Sequence, residues 1–171
     1  ISPLNFEENT EASLQTLFSA LEDDRYSISC DHTPVNKLGS VEGKLVGGNF
    51  SILYSLLGTN DQIDYTDTVL FIEDLAEYLY VMDRMFYTFE KAGVFDKIKG
   101  LIIGGMTDIK DTTIPFGSTL EEIILSRFKY RKIPVAFGFP SGHMIDNRAL
   151  RLGETVRLSV TEKQTQLDFL G

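Results

Sequence analysis

The clearest pattern in the chain is a run of apolar residues at positions 69–72 that ends on two carboxylates, Glu73 and Asp74. A continuous apolar run of this length predicts a short strand that is buried on both faces of a sheet. From Leu75 to Gly93 the apolar residues recur with helical spacing, which predicts a long amphipathic helix that ends at this glycine. Its apolar face is expected to contain Leu75, Tyr78, Leu79, Met82, Met85, Phe86 and Phe89.

The same reading predicts further elements along the chain. Apolar runs at 43–46, 100–104 and 134–139 indicate three more strands, and the spacing of Leu14, Leu17, Phe18 and Leu21 indicates a helix capped by Asn9 or Thr10. Residues 26–30 alternate weakly and predict an edge strand, while Ser118-Thr-Leu-Glu121 is typical of a capping box at a helix start.

Near the C-terminus the hydrophobic period changes to two. Val156, Leu158 and Val160 alternate with charged or hydroxyl-bearing residues, which predicts an antiparallel hairpin. The fold class predicted from the whole pattern is α/β, with mostly parallel buried strands, flanking helices and an appended antiparallel C-terminal hairpin. With 171 residues, we expect a single domain over 1–171.

Composition excludes some classes of function. The net charge of −9 leaves no basic stripe for nucleic acid, and no apolar run approaches the length of a membrane span. The single Cys30 cannot form an internal disulfide, which fits a reducing compartment. Cys30-Asp31-His32 carries metal-capable side chains, but it has no second cluster nearby, so no metal site is expected.

The candidate chemistry is a carboxylate and a histidine at two strand ends. His143 closes the segment Gly138-Phe-Pro-Ser-Gly-His143, in which the predicted strand at 134–139 ends and passes into a loop. Because ligands and catalytic groups collect at the carboxyl ends of parallel strands, we expect Glu73 and His143 to meet. A carboxylate that holds an imidazole in one tautomer makes a general base, although a lone loop histidine is commonly structural.

No attacking group for this pair is evident. Ser141 stands too close to His143 in sequence to reach it without a contorted loop, and the segment 138–142 lacks the Gly-x-Ser-x-Gly spacing of a nucleophile elbow.

Gly47-Gly48-Asn49 leads from a strand into a helix. Glycines there allow a ligand to approach the backbone near a helix N-terminus, but the full dinucleotide or phosphate-loop spacing is missing. A tight turn with Asn49 as N-cap explains the same residues.

Several separate motifs occur in a recognisable order: Gly47-Gly48-Asn49, Leu56-Leu57-Gly58-Thr59, Leu70-Phe71-Ile72-Glu73-Asp74, Asp83-Arg84, Gly93-Val94-Phe95 and Pro140-Ser141-Gly142-His143. Together, over about residues 41–160, they resemble the C-terminal domain of the muramoyl-tetrapeptide LD-carboxypeptidase family. This family includes the serine peptidases that give self-immunity to microcin-type peptide antibiotics. The resemblance implies a swivelling β/β/α-like C-terminal fold.

The resemblance also implies roles for particular residues. Glu73 resembles the triad carboxylate and His143 the general base, Asp74 takes no catalytic role, and Gly47, Gly48 and Asn49 are expected to border the substrate groove. In the family the nucleophilic serine comes from an N-terminal domain, which this chain lacks. Residues 1–9 then resemble the remnant of the interdomain linker, and we expect the isolated chain to be inactive.

The implied substrate is a murein tetrapeptide, from which the terminal D-alanine is cleaved at an L-to-D linkage during cytoplasmic peptidoglycan recycling. No cofactor and no metal are implied. The sequence leaves open a microcin-like peptide–nucleotide as substrate, a non-catalytic ligand-binding or interaction domain, and a homodimer. The role of the loop at 108–117 is also left open.

Overall fold

The computed structural model describes residues 11–22 and 25–171. The elements, in chain order, are α1 (Glu11–Leu21), β1 (Ser27–Asp31), β2 (Gly39–Asn49), α2 (Phe50–Leu56), β3 (Thr68–Leu75), α3 (Leu79–Lys91), a 3-10 turn (Val94–Asp96), β4 (Gly100–Thr107), α4 (Leu120–Phe128), β5 (Val135–Ala136), β6 (Thr155–Val160) and β7 (Gln164–Phe169). The expected linker at 1–9 and the caps Asn9 and Thr10 lie outside the described residues.

The strands form a mixed seven-stranded sheet in the order β1-β7-β6-β2-β3-β4-β5. Strands β2, β3, β4 and β5 run parallel, and β6 joins β2 antiparallel. The predicted fold class is therefore confirmed. The predicted antiparallel C-terminal hairpin is confirmed as β6 and β7. It continues the sheet beyond β2, and β1 pairs with the far side of β7.

Both faces of the sheet are covered, which explains the unbroken apolar runs. Along β3, Val69 and Phe71 belong to one buried cluster, while Leu70 and Ile72 belong to the other. The first cluster also contains residues of β1, β6 and β7, and the second contains residues of α2, α3 and α4. The prediction that 69–72 forms a buried central strand is confirmed.

Helix α3 begins four residues later than its apolar pattern suggested, at Leu79. Strand β3 extends to Leu75, and Ala76 then adopts a left-handed conformation with φ of 61°. The next residues pair with the loop after β4, through a bridge between Tyr78 and Lys110. Leu75 and Tyr78 are consequently exposed, whereas the predicted face residues Met82, Met85, Phe86 and Phe89 are buried.

Other predicted elements differ in detail. In α1 the expected apolar face is only partly covered: Phe18 is 59% and Leu21 73% exposed, and the fully buried residue is Ser13. The capping box exists but is shifted by one residue, with Thr119 as N-cap and Glu122 as its partner. The predicted strand at 134–139 shortens to Val135–Ala136 because its later residues turn into the loop that carries His143.

Candidate active site

The structure brings Glu73 and His143 together at the carboxyl edge of the parallel strands. Glu73 lies near the end of β3 and its side chain is only 8% exposed. The carboxylate oxygen Oε2 lies 2.5 Å from Nδ1 of the His143 ring and also accepts the backbone N–H of His143 at 3.2 Å. One oxygen thus fixes both the ring and the main chain of the histidine.

A bulge in β4 creates room for this contact. Ile72 pairs with Ile103, but Asp74 pairs with Met106, so β4 has one extra residue opposite Glu73. The extra length contains Gly104 and Gly105, and Gly105 forms a bridge to Gly142 in the histidine loop. A Cβ at Gly104 would lie 2.4 Å from the carbonyl oxygen of Ser141, so close packing of the loop requires glycine there.

Further hydrogen bonds hold the histidine loop. Asn147 accepts the backbone N–H of Gly142 through Oδ1 at 3.0 Å, and the Thr107 hydroxyl donates to the carbonyl oxygen of His143. The hydroxyl of Ser141 donates to the carbonyl oxygen of Arg148 at 2.9 Å, and Ser141 is buried. Ser141 therefore supports the loop, in agreement with the argument that it is poorly placed to attack.

The geometry of the pair is suited to proton transfer. An ionised carboxylate only accepts hydrogen bonds, so the ring proton of neutral His143 lies on Nδ1 and the lone pair lies on Nε2. The His143 side chain is 44% exposed, so a reacting group can approach it. This arrangement can accept a proton at Nε2 while Glu73 stabilises the resulting imidazolium.

Gly47, Gly48 and Asn49 lie at the end of β2, beside β3. Gly47 is required by packing, because a Cβ there would lie 1.8 Å from the carbonyl oxygen of Phe71. At Gly48, no atom of residues 11–22 or 25–171 lies within 4 Å of the Cβ position. Asn49 caps α2 by accepting the N–H of Ile52 at 3.2 Å, so the N-cap reading of this residue is confirmed.

A depression of about 370 Å³ lies close to this turn, beside α2 and α3. It is lined by Ser51, Tyr54, Glu77, Val81, Arg84 and Met85. The hydroxyl of Ser51 connects it to the strand end, because it donates to Asp74 Oδ2 at 2.8 Å. The predicted groove role of Gly47, Gly48 and Asn49 stays a prediction.

Sequence reasoning did not assign a supporting role to several residues that build the site. Asp74, Ser51, Thr107 and Asn147 all make hydrogen bonds that hold one of the two strand ends. Among them, only Asp74 had a feature in the sequence that indicated such a role, because a carboxylate at the end of a buried strand needs hydrogen-bond partners. The others belong to polar stretches in which a single hydroxyl or amide carries no distinguishing pattern.

Neither a metal centre nor a membrane span is found in the part of the chain that the structure describes. Over residues 11–22 and 25–171, no three or more His, Cys, Asp or Glu side chains are grouped as a metal site requires. Among the same residues, no helix has the length and apolar character needed to cross a membrane.

Comparison with known proteins places the chain among carboxypeptidases. The model of the LD-carboxypeptidase C-terminal domain matches residues 42–158, which is more than half of the chain. The chain therefore belongs to the LD-carboxypeptidase family and carries its C-terminal domain, which confirms the resemblance drawn from the sequence motifs.

Individual relatives agree with this placement. The chain is 30% identical over 165 residues to the Bacillus subtilis (strain 168) protein named Probable murein peptide carboxypeptidase, with 93% of this chain and 50% of the relative covered. It is 27% identical over 132 residues to the Escherichia coli protein named Microcin C7 self-immunity protein MccF, covering 75% of this chain and 37% of the relative.

A solved structure agrees as well. The muramoyltetrapeptide carboxypeptidase from Oxalobacter formigenes superimposes with a TM-score of 0.84 at 26% identity, over 95% of this chain and 56% of that one. Nearly the whole of this chain is therefore matched, but it spans only about half the length of these two carboxypeptidases.

Proposed function

We propose that this chain is the half of a serine-type LD-carboxypeptidase that supplies the general base and its carboxylate partner. The observation that carries the proposal is the 2.5 Å contact between Oε2 of Glu73 and Nδ1 of His143 at the carboxyl edge of the parallel strands. Glu73 is the triad carboxylate and His143 is the base.

The proposed reaction begins with a serine hydroxyl that transfers its proton to Nε2 of His143 as its oxygen attacks the scissile carbonyl carbon. Glu73 keeps the ring in the required tautomer and stabilises the imidazolium. The imidazolium then donates this proton to the leaving amine of the C-terminal amino acid. In the second half of the reaction, water transfers a proton to Nε2 as its oxygen attacks the acyl-enzyme carbonyl, and the imidazolium returns that proton to the serine oxygen as the ester bond breaks.

The serine is supplied by a partner domain, because the described residues bring no serine hydroxyl to Nε2 of His143. Two observations support such a partner. The chain covers only 50% and 56% of the two carboxypeptidases described above. In addition, the apolar side chains of Leu75, Met144 and Ile145 are exposed next to the Glu73–His143 pair, which is typical of a surface that another protein surface covers.

The proposed substrate is a murein tetrapeptide, from which the enzyme releases the terminal D-alanine in the cytoplasm during peptidoglycan recycling. The names of the Bacillus subtilis and Oxalobacter formigenes proteins support this class of substrate. The open space at Gly48 and the depression beside Ser51 support a groove that begins next to the Gly47-Gly48-Asn49 turn.

The test is a hydrolysis assay on the full-length polypeptide that carries this chain, with D-alanine release from a murein tetrapeptide as the readout. We expect His143→Ala to lower kcat by about a thousandfold or more, and Glu73→Gln to lower it strongly as well, because triad residues act as a unit. His32→Ala is the matched control, since His32 is the only other histidine of the chain, and it should keep full activity.

Two outcomes would contradict the proposal. If the full-length polypeptide were active and both site variants kept that activity, the chemistry would lie elsewhere and this domain would be a binding module. If the isolated chain itself released D-alanine with a burst of acyl-enzyme, the serine would have to come from within residues 1–171.

A second candidate substrate is a microcin-like peptide–nucleotide, which the 27% identity to the Escherichia coli self-immunity protein favours. The same full-length polypeptide would then cleave this peptide–nucleotide and release no D-alanine. The Glu73 and His143 variants would be inactive on either substrate. Assays with the murein tetrapeptide and with the peptide–nucleotide therefore distinguish the two substrates, while the assigned site residues stay the same.

A further inference from the structure

Asp74 is a buried carboxylate, only 2% exposed, directly after Glu73. It accepts hydrogen bonds from four neutral donors. Oδ1 accepts from Nδ2 of Asn49 at 3.1 Å and from its neighbour Leu75 N–H at 2.9 Å. Oδ2 accepts from the backbone N–H of Ser51 at 3.0 Å and from the Ser51 hydroxyl at 2.8 Å. A buried carboxylate with this many partners is strongly held in place.

These bonds join two elements. Asn49 is the last residue of β2 and Ser51 lies in the first turn of α2, whereas Asp74 belongs to β3. The side chain of Asp74 therefore links the end of β3 to the turn that begins α2.

Strand β4, on the other side of β3, gives less support to the backbone at Glu73. Register with β4 is regular up to Ile72 and Ile103, and it resumes shifted at Asp74 and Met106. Glu73 stands between these two pairs, opposite the bulge, while on its other side it is aligned with Asn49 of β2. The backbone of Glu73 is therefore positioned mainly from the β2 side, where Asp74 makes its side-chain bonds.

We propose that Asp74 is a positioning residue for the Glu73–His143 pair: by anchoring the end of β3 to Asn49 and Ser51, it holds the Glu73 carboxylate where one oxygen accepts both the ring and the backbone N–H of His143. The positioning of Glu73 and His143 by Asp74 does not depend on the proposed function, whereas its effect on catalysis rests on that function. Asp74 touches neither the imidazole nor a reacting atom, and it acts through its neighbour.

A purely structural role is the competing explanation. Asp74 would then only satisfy the N-terminus of α2, and its loss would lower stability without changing the histidine. The tautomer of the His143 ring separates the two roles, because a residue that only caps α2 would not determine which ring nitrogen carries the proton. The chain contains only two histidines, so the signals of His143 and His32 can be assigned by substituting one of them.

The experiment is 15N NMR of the imidazoles in this chain, at a pH at which both rings are neutral, which reports whether the proton lies on Nδ1 or Nε2. In the unchanged chain His143 should carry its proton on Nδ1, and Glu73→Gln should abolish this preference. In Asp74→Asn an amide N–H2 replaces one acceptor oxygen and faces donors on Asn49 or Ser51. We expect the Nδ1–H population of His143 to fall to that of a water-exposed histidine, with His32 unchanged.

Asp83→Asn is the matched control. It removes the ion pair between Asp83 and Arg127, at 2.6 Å, away from the end of β3, and it should leave His143 unchanged. The proposal is overturned if folded Asp74→Asn retains the Nδ1–H tautomer, or if the unchanged chain lacks it. If Asp74→Asn does not fold, Ser51→Ala decides: a partial loss of the tautomer supports the proposal and an unchanged ring overturns it.

The catalytic consequence is measured separately, in the full-length polypeptide. Asp74→Asn should lower kcat by about 10- to 100-fold with little change in KM, because a small displacement of a catalytic group is enough for such a loss. The NMR result does not depend on turnover. A failure of the murein assay would therefore count against the proposed function, and an unchanged tautomer would count against the role of Asp74.

Discussion

Gly142 packs directly on Glu73. A Cβ on Gly142 would lie 2.7 Å from Cβ and 2.8 Å from Cγ of Glu73, and the backbone of Gly142 has a φ of +105° that side chains disfavour. The residue before His143 is thus a glycine for two physical reasons, and both serve the contact between the histidine and the carboxylate.

The first prediction follows from that contact. Gly142→Ala should push the histidine loop away from Glu73, lower the free energy of unfolding by about 1–3 kcal/mol and remove the Nδ1–H tautomer of His143. Denaturant unfolding and imidazole 15N NMR measure the two effects.

The matched control for Gly142→Ala is Gly117→Ala. Gly117 also has a positive φ, of 89°, but a Cβ there meets no atom of the described part of the chain within 4 Å. Gly117→Ala therefore has the free-energy cost of a positive φ but no steric clash of the kind expected between Gly142→Ala and Glu73. It should destabilise the chain less and leave the tautomer of His143 unchanged. If both variants behaved alike, close packing against Glu73 would not be what positions the histidine.

The meeting of Glu73 and His143 could be predicted from sequence because it depends on topology. Each follows a continuous apolar run, such runs form parallel strands in an α/β sheet, and parallel strands end at the same edge. The helices were predictable for a similar reason, since the buried residues of α3 repeat with helical spacing.

The remainder depended on contacts between distant polar residues. Ala76 delays the start of α3 by adopting a left-handed backbone conformation, which no local rule predicts for alanine. The pairing of β1 with β7 joins Ser27 to Asp168, and the hydrogen bond from Thr107 to His143 spans 36 residues. Hydrophobic patterns do not predict such hydrogen bonds. The residues that position Glu73 and His143 were therefore identified only in the structure.

The second prediction concerns Lys37, which ties the loop before β2 to the end of α4. Its Nζ donates to the carbonyl oxygens of Phe128, the last residue of α4, and of Arg131 in the segment that follows, both at 2.5 Å. Lys37→Met keeps the aliphatic stem and removes both bonds. We expect the free energy of unfolding to fall by about 1–3 kcal/mol, measured by urea denaturation.

Lys129→Met is the comparison for Lys37. Lys129 follows α4 directly, and its ammonium group lies over the exposed ring of Tyr130. Its replacement should change stability by less than about 0.5 kcal/mol, as is usual for surface substitutions. An equal loss in the two variants would mean that Lys37 acts through its charge rather than through its two carbonyl partners.

The third prediction is a pH dependence that arises at Tyr26. Its ring stacks on Phe169 with centroids 4.3 Å apart, and its hydroxyl donates to the carbonyl oxygen of Ala149 at 2.8 Å. Burial, as the largest cause, raises the pKa of Tyr26 from its ordinary value of 10.0 to about 12. Between these two values the unfolded chain loses the phenol proton while the folded chain keeps it.

The sign follows from linkage. A folded pKa above the unfolded value means that the folded state binds more protons in this window, so the contribution of Tyr26 to stability is complete below pH 10 and is lost as the pH rises towards 12. Tyr26→Phe should therefore flatten the alkaline decline in the free energy of unfolding, measured by denaturant titrations across this range. Tyr130→Phe, at a residue that is 87% exposed, should leave the decline as it is. An unchanged slope in Tyr26→Phe, or a phenolate absorbance that appears for every tyrosine near pH 10, would show that Tyr26 ionises freely and that its stacking on Phe169 does not protect the phenol.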